Sequence, residues 1–303
     1  MSAVITPFEG TELFNTASFN DRISQINTGF SYVSNPNLLD NWYFGNPVNQ
    51  RGKTEYTDSW AYSIDRWLCA GDGKVTIADG HCVFYGAVDQ GLSVEMSDIL
   101  GCTMTASLLL TDGTLITGTA VNTDNSIDIP FVSGVGGMYL GLNATDLSKH
   151  RRFRTYIAPE RAVLAVKLEL GDTQTLAHRE GDRWVLNEVP DYGEQLRRCQ
   201  RYCRVYKAGE YLPCIAFAME DGWYCGAMLP YEMRAVPVNN IDSNISVTLE
   251  PILGGTGIDT ILENYGTFNG VQILKFAKDG QVFKSSNYFR VKLNADFILT
   301  ADL

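Results

Sequence analysis

The chain has 303 residues, of which 45% are hydrophobic and 19% charged, so it can form two folded domains and is not a disordered protein. A net charge of −11 argues against nucleic acid as a partner, because a protein of this charge repels phosphate backbones. The many glycine and aromatic residues favour a β-rich fold.

Targeting, membrane and metal-binding segments are not predicted. The first seven residues lack the basic and apolar regions of an export signal, and the longest apolar runs are too short to span a membrane. We therefore expect a protein that folds in a cytoplasm and does not insert into a membrane. The seven cysteines lack disulfide-framework spacing. Cys199 and Cys203 would share a helix face, which could suit a metal, but no nearby histidine completes a site, so we expect buried thiols and no cofactor.

Residues 16 to 29 predict a short N-terminal helix. Its apolar residues recur at spacings of four and three, which is the pattern of a coiled-coil seam about two heptads long. The seam residues are Phe19, Ile23, Ile26 and Phe30. A helix this short is marginal alone, so the segment 1–36 either packs on its own chain or serves as an oligomerisation and attachment segment.

From residue 37 onward the pattern predicts strands and hairpins. Asp-Gly pairs are good hairpin turns because both residues tolerate a positive φ. They occur at residues 72–73, 79–80, 112–113, 221–222 and 279–280. Apolar and polar residues alternate around them, as where Val166 and Leu168 alternate with Lys167 and Glu169. Many short strands with frequent turns favour a sandwich or a barrel.

The C-terminal residues carry the clearest strand pattern. Every second residue from Phe289 to Leu303 is apolar, which predicts one strand, or two with a bend, with one buried face. A helix would distribute these side chains around its whole circumference. The residues between them are mostly polar, as expected for a face in contact with solvent.

A domain boundary is predicted near residues 188–192. The stretch 171–190 is polar and turn-prone, which favours a linker, and a short helix-like segment follows from Tyr192 to Tyr202. The predicted fold class is mainly β. It comprises an N-terminal helical segment at 1–36, a jelly-roll-like β-sandwich at 37–188 and a second β-rich domain at 189–303.

Several segments, in this order, resemble a family of bacteriophage and prophage tail proteins. They are NLLDNWYF at 37–44, VNQRG at 48–52, YSIDRW at 62–67, AVKLELG at 165–171, PDYGEQLRRCQRY at 190–202 and LPYEMR at 229–234. The resemblance covers most of the chain from 37 to about 202. It implies a jelly roll similar to carbohydrate-binding modules, followed by a distal tip domain, usually in a homotrimer.

The resemblance also implies a function. A tail-fibre or receptor-binding protein of this kind attaches to tail or baseplate proteins, contacts host cell-surface polysaccharide and belongs to the virion. It brings no catalytic residues with it, so we expect a protein that is not an enzyme. The adjacent Asp65 and Arg66 could form a partly buried pair that holds the chain where it enters a strand.

Two other classes of function stay open. A tail-borne polysaccharide depolymerase needs paired carboxyl groups, which Asp89, Glu95 and Asp98 or the Glu220–Asp221 pair could supply. Neither a nucleophile elbow nor a zinc-protease helix is present. A purely structural virion or injection-system subunit would bind no ligand at all.

Aromatic residues beside turns are the candidate sugar-binding residues, because a sugar ring stacks its C–H face on an aromatic ring. They are Trp60 and Tyr62 in one segment, and Trp223 and Tyr224 in another, where the neighbouring Asp221 could bond to a sugar hydroxyl. The alternative is that these rings are core or trimer-contact residues. If a sugar site exists, the later segment is preferred because it belongs to the domain expected to be distal.

Overall fold

The computed structural model describes thirteen segments of the chain. They are residues 35–94, 96–123, 128–133, 136–142, 151–212, 214–219, 222–227, 233, 238–239, 245–251, 258–268, 271–277 and 289–301. The predicted N-terminal helix, with Phe19, Ile23, Ile26 and Phe30, lies outside them. Within these segments no helix is long and apolar enough to cross a membrane.

Antiparallel strands make up most of the described residues, as predicted for a mainly β chain. The helices among these residues are the short α1 (Met96–Ile99) and α2 (Tyr192–Cys199). The first strands are β1 (Glu55–Tyr56), β2 (Ala61–Tyr62), β3 (Leu68–Ala78), β4 (His81–Gly91), β5 (Thr103–Leu110), β6 (Leu115–Val121), β7 (Asp128–Val132), β8 (Gly137–Leu142), β9 (Arg151–Leu170), β10 (Ala177–Glu180) and β11 (Arg183–Leu186). The later strands are β12 (Cys203–Tyr206), β13 (Tyr211–Leu212), β14 (Cys214–Met219), β15 (Gly222–Ala227), β16 (Val238–Asn239), β17 (Ile245–Pro251), β18 (Ile258–Phe268), β19 (Val271–Ala277), β20 (Phe289–Leu293) and β21 (Phe297–Thr300).

The backbone divides into two compact units between Pro190 and Asp191, inside the region where the sequence places a boundary. The second unit also takes two earlier segments, Val48–Lys53 and Tyr62–Trp67. These segments carry the VNQRG and YSIDRW motifs. Both motifs therefore cluster with C-terminal residues, although they precede most strands of the first unit in the chain.

The long strand β9 organises the first unit. The main sheet has the order β1–β3–β4–β9–β5–β6, and β7 joins it through β8, which pairs with β9. Strand β4 lies along one edge of β9, while β8 and then β5 follow each other along the opposite edge. Since β9 is twenty residues long, it can hold three neighbours in register.

The NLLDNWYF motif at 37–44 lies along β9 past Val163, where the pairing of β9 with β4 stops. Backbone hydrogen bonds join Leu38 N to the Leu168 carbonyl and Val166 N to the Trp42 carbonyl. The Asn37 side chain donates to the Val166 carbonyl at 3.0 Å and accepts from Leu168 N at 3.1 Å. This segment therefore satisfies backbone groups of β9 that would otherwise be buried without partners.

The predicted Asp-Gly turns have different outcomes. Turns at 79–80 and 112–113 join β3 to β4 and β5 to β6, and Met219 pairs with Gly222 across the β14–β15 hairpin. The turn predicted at 72–73 is wrong, because these residues form a bulge inside β3. A Cβ atom at Gly73 would lie 1.9 Å from the Ala87 carbonyl oxygen, so glycine serves close strand packing there. The pair at 279–280 lies outside the described residues.

The core of the first unit contains large apolar side chains from its sheet and from the preceding segment. Phe44 and Phe84 are fully buried, and their ring centroids lie 4.9 Å apart. Each such buried side chain contributes roughly 1.5–3 kcal/mol of burial free energy. Strand β6 approaches β7 so closely that a Cβ atom at Gly118 would lie 1.8 Å from the Phe131 carbonyl oxygen.

The stretch predicted to be a linker instead contains the hairpin of β10 and β11. These strands pair in register from Ala177 opposite Leu186 to Glu180 opposite Arg183. The hairpin belongs to the first unit, and its Leu176 and Ala177 are buried. The polar composition of this stretch therefore marks the exposed turn of a hairpin and not an unstructured connection.

The second unit confirms the C-terminal strand prediction in its form with a bend. Strand β20 ends at Leu293, and β21 begins at Phe297, with both residues buried. Strand β20 pairs with β13 and β17 in a seven-stranded sheet, whereas β21 pairs with β12 and β16 in a three-stranded sheet. One continuous pattern of alternation thus serves two sheets.

The VNQRG and YSIDRW motifs, which belong to the second unit, form a buried polar cluster. The Asp65 carboxylate, which is fully buried, accepts from Gln50 Nε2 at 2.5 Å and lies 3.3 Å from Arg51 Nη1. The buried Arg66 guanidinium stacks over the Tyr202 ring at 3.4 Å from its centroid. Asp65 and Arg66 therefore hold different neighbours within this unit.

Candidate functional site

The first predicted aromatic pair, Trp60 and Tyr62, is split between the two units. Trp60 belongs to the first unit and is 61% exposed. Its φ is +57°, an uncommon value for a bulky residue, and its N–H donates to the Cys69 carbonyl at 2.7 Å. Tyr62 belongs to the second unit, is half-buried and lies beneath the Arg51 guanidinium at 5.4 Å.

The second predicted group is described only in part. Trp223 and Tyr224 are in β15, where only the backbone is described, and they pair with Ala218 and Phe217 of β14. Asp221 lies outside the described residues. Of the predicted sugar-binding residues, Trp60 is the one whose side chain is shown to be exposed to solvent.

An open groove in the first unit is a more complete candidate for a ligand-binding site than either predicted aromatic group. Its volume is about 500 Å³, and it runs along β11 beside the turn that joins β5 to β6. This volume lies within the range of about 300–1,000 Å³ that is typical of ligand sites. Four leucines are among its lining residues, and the polar residues that line it are Thr111, Asp112 and Arg183.

Trp184 supplies an aromatic wall of this groove. It follows the Gly181–Asp182 turn on β11, and its ring is partly exposed. The Arg179 guanidinium lies over the ring at 5.2 Å from its centroid, and Arg179 and Trp184 are also cross-strand partners. A cation held over an indole restricts its orientation, so the ring is positioned before any ligand arrives.

A buried polar cluster attaches the hairpin to β9. Thr175 donates its backbone N–H to Glu169 Oε1 at 2.7 Å and its hydroxyl to Glu169 Oε2, while Lys167 Nζ donates to the Thr175 hydroxyl at 2.9 Å. Lys167 and Glu169 are 1% and 0% exposed, so they do not form a solvated face. Burial lowers the pKa of Lys167, and the Glu169 charge opposes this effect.

Further hydrogen bonds brace the base of the same hairpin. Asn187 Nδ2 donates to the Thr175 carbonyl at 2.8 Å, and Asn187 Oδ1 lies 2.6 Å from His178 Nδ1. The backbone N–H of Asn187 donates to the Leu176 carbonyl at 3.0 Å. The hairpin that carries Trp184 is therefore held by hydrogen bonds both before β10, at Thr175, and after β11, at Asn187.

Asp112 is an ionised group at the groove. The Thr114 N–H donates to its carboxylate at 2.8 Å, and this hydrogen bond, together with the nearby Arg161 charge, lowers the pKa of Asp112. The carboxylate is therefore charged at neutral pH. It offers a hydrogen-bond acceptor in the groove that Trp184 also lines.

The candidate catalytic carboxyl groups of a depolymerase that the structure describes, Asp89 and Asp98, do not line the groove. Asp89 is fully buried, and its two oxygens accept from Arg154 at 2.7 and 2.8 Å. Asp98 is exposed on α1, while Glu95 and the Glu220–Asp221 pair lie outside the described residues. Within the described part of the chain, no group of three or more His, Cys, Asp or Glu side chains is arranged to hold a metal ion.

Comparison of the chain with protein-family models, with curated proteins and with solved structures gives no match. The groove therefore has to be interpreted from its own residues. Sequence reasoning missed Trp184, although the signal used for Trp60 and Trp223, an aromatic residue beside a turn, is also present here. The polar residues of this stretch outnumber its apolar ones, and that composition favours a linker over a hairpin.

Proposed function

We propose that the protein is a non-enzymatic tail-fibre or receptor-binding protein of a phage tail, or of an injection particle derived from one, and that it binds host-surface glycans. The observation that carries the glycan-binding part is the open groove of about 500 Å³ with Trp184 in its wall. The tail context rests on the ordered motifs between residues 37 and 202, which resemble phage tail proteins.

The groove offers the chemistry that a saccharide requires. A pyranose ring presents an apolar C–H face that packs on an indole, and its hydroxyls exchange hydrogen bonds with polar side chains. Trp184 supplies the ring, while Asp112 supplies an acceptor and Arg183 supplies donors. Since the hairpin is braced at its base, little ordering is needed when a ligand binds.

The protein is proposed to act as a homotrimer that attaches to tail or baseplate proteins through residues 1–36. Three weak glycan sites on one particle would give strong adhesion through avidity. Light scattering of the purified protein should then give three times the chain mass of 33.6 kDa. Substituting the seam residues Ile23 and Ile26 by aspartate should reduce this mass to that of a monomer.

The Asp89 geometry argues against a depolymerase site that uses Asp89. A glycosidase needs one protonated carboxyl and one free carboxylate on either side of the glycosidic bond. Both oxygens of Asp89 accept hydrogen bonds from Arg154, and the side chain is fully buried, so neither oxygen is free to contact a substrate. Release of reducing sugar from a bound polysaccharide would contradict the non-enzymatic assignment.

Glycan binding is tested by applying the protein to an array of bacterial surface polysaccharides. The native protein should bind at least one of them, and Trp184→Ala should weaken that binding about tenfold, or about 1.4 kcal/mol. Trp60→Ala is the matched control, because it removes an exposed indole of the same unit that does not line the groove.

The outcomes separate the site from the function. Loss of binding in Trp60→Ala alone would keep the glycan-binding function but reject the groove. Absence of binding to every polysaccharide would reject the function and favour a purely structural subunit of the particle.

A further inference from the structure

A second cavity adjoins the groove on the other side of the β5–β6 turn. It has a volume of about 200 Å³ and is lined by Ile157, Pro159 and Arg161 of β9, together with Thr114 and Ile116. Leu110 and Asp112 line both spaces. The groove and the cavity are therefore neighbouring parts of one surface that surrounds this turn.

Two arginines stand at this surface, one in each space. Arg161 and Arg183 are both exposed. In the part of the chain that the structure describes, neither guanidinium forms a hydrogen bond or a contact ion pair, although Arg161 is near enough to Asp112 for its charge to lower the pKa of that carboxyl. This differs from the nearby sheet, where Arg154 is held by two hydrogen bonds to Asp89.

The lining carries a local excess of positive charge in an acidic protein. Arg161, Arg183 and Asp112 are the charged side chains that line the two spaces. Asp112 already accepts a hydrogen bond from Thr114 N, so part of its capacity is used within the turn. The donors of both arginines remain available, in a chain whose net charge is −11.

We infer that this surface binds a glycan that carries carboxylate groups, with a sugar ring on Trp184 and carboxylates paired with Arg183 and Arg161. Arginine suits this role because its planar guanidinium donates two parallel hydrogen bonds to a carboxylate. The inference rests on the proposed function and adds the ligand class, an acidic polysaccharide of the uronate type.

The test compares each acidic polysaccharide with its carboxyl-reduced form, which keeps the sugar ring and removes the charge. The native protein should bind an acidic form and lose about tenfold in affinity after carboxyl reduction. The double variant Arg161→Gln and Arg183→Gln should lose a similar factor on the acidic form and little on the reduced form.

Two control variants accompany this comparison. Arg197→Gln removes one positive charge, half the change made by the double variant, from an exposed residue of α2 in the second unit, and should leave binding unchanged. Arg161→Lys together with Arg183→Lys keeps the charge but loses the planar donor pair, so its affinity should fall between the native and glutamine forms.

The possible failures are distinguishable. Equal binding of acidic and reduced forms, with both sensitive to Trp184→Ala, would overturn the acidic-ligand inference and leave the proposed function standing. Unchanged binding of the acidic form by the Arg161→Gln and Arg183→Gln double variant would have the same consequence. Binding to none of the polysaccharides would overturn both proposals.

Discussion

The ion pair between Asp89 and Arg154 allows a quantitative test of how the first unit is held together. Asp89 lies on β4 and Arg154 on β9, so the pair joins two neighbouring strands. Asp89→Asn removes the charge and leaves the Arg154 guanidinium, 36% exposed, without its carboxylate. Arg152, at 3.8 Å from Asp89, also loses a neighbouring opposite charge.

Breaking a buried ion pair by removing one partner costs about 3–5 kcal/mol. Because Arg154 is partly solvated, we expect the free energy of unfolding to fall by about 3 kcal/mol in Asp89→Asn, the lower end of that range. Arg154→Gln leaves a buried carboxylate and should cost about 4 kcal/mol. The double variant should cost less than the sum, with a coupling energy of about 2 kcal/mol.

Urea denaturation, with hydrogen exchange of β4 and β9 peptides, measures these free energies. The exposed pair Glu194 and Arg197 provides the control, since its double variant should show no resolvable coupling. A coupling energy below about 0.5 kcal/mol for Asp89 and Arg154 would show that burial does not make this pair strong. An Asp89→Asn protein that is fully stable would equally reopen a chemical role for Asp89.

Three further results are expected. Burial raises the pKa of the Cys82 thiol to about 12. Iodoacetamide at about pH 8.5 should therefore label the partly exposed Cys102 well before Cys82, which peptide mass spectrometry would show. Equal labelling rates would contradict this. Glu169→Gln should increase hydrogen exchange in residues 175–187, because Thr175 loses its charged acceptor, whereas Glu180→Gln on the exposed hairpin should not. Hydrogen bonding by Ala208 N and Lys207 lowers the pKa of Asp296 below its usual 3.8, so this group contributes stability that is complete above that value and is lost as pH falls through the lowered pKa. The difference in urea midpoint between native protein and Asp296→Asn should therefore shrink from about pH 6 to about pH 2, and a constant difference would contradict the assignment.

The strands were predictable where local pattern and burial agree. The alternation from Phe289 onward predicts β20 and β21, because every second side chain there enters a core. The Asp-Gly pairs at 79–80 and 112–113 predict hairpins correctly, since the strands on either side of each turn pair directly with each other. At 72–73 the close approach of β4 overrides that preference, and no local pattern carries this information.

The candidate site could not be predicted from a local pattern, because it depends on contacts between residues that are far apart in the sequence. Lys167 and Glu169 occupy alternate positions on β9, yet both are buried, because Thr175 and the β10–β11 hairpin fold over them. The polar composition of residues 171–190 favours a linker when it is considered alone, although Thr175 in this stretch forms hydrogen bonds with the buried Lys167 and Glu169. Trp184 was missed for this reason, and the groove exists only because that hairpin packs beside the β5–β6 turn.

Occupation of the groove by a glycan can be measured by hydroxyl-radical footprinting, with and without a saturating amount of a polysaccharide that the protein binds. We predict strong protection of Trp184 in the groove and unchanged oxidation of the exposed Trp60. Protection of Trp60, or of residues in the second unit, with Trp184 oxidised as before, would contradict glycan binding at the groove.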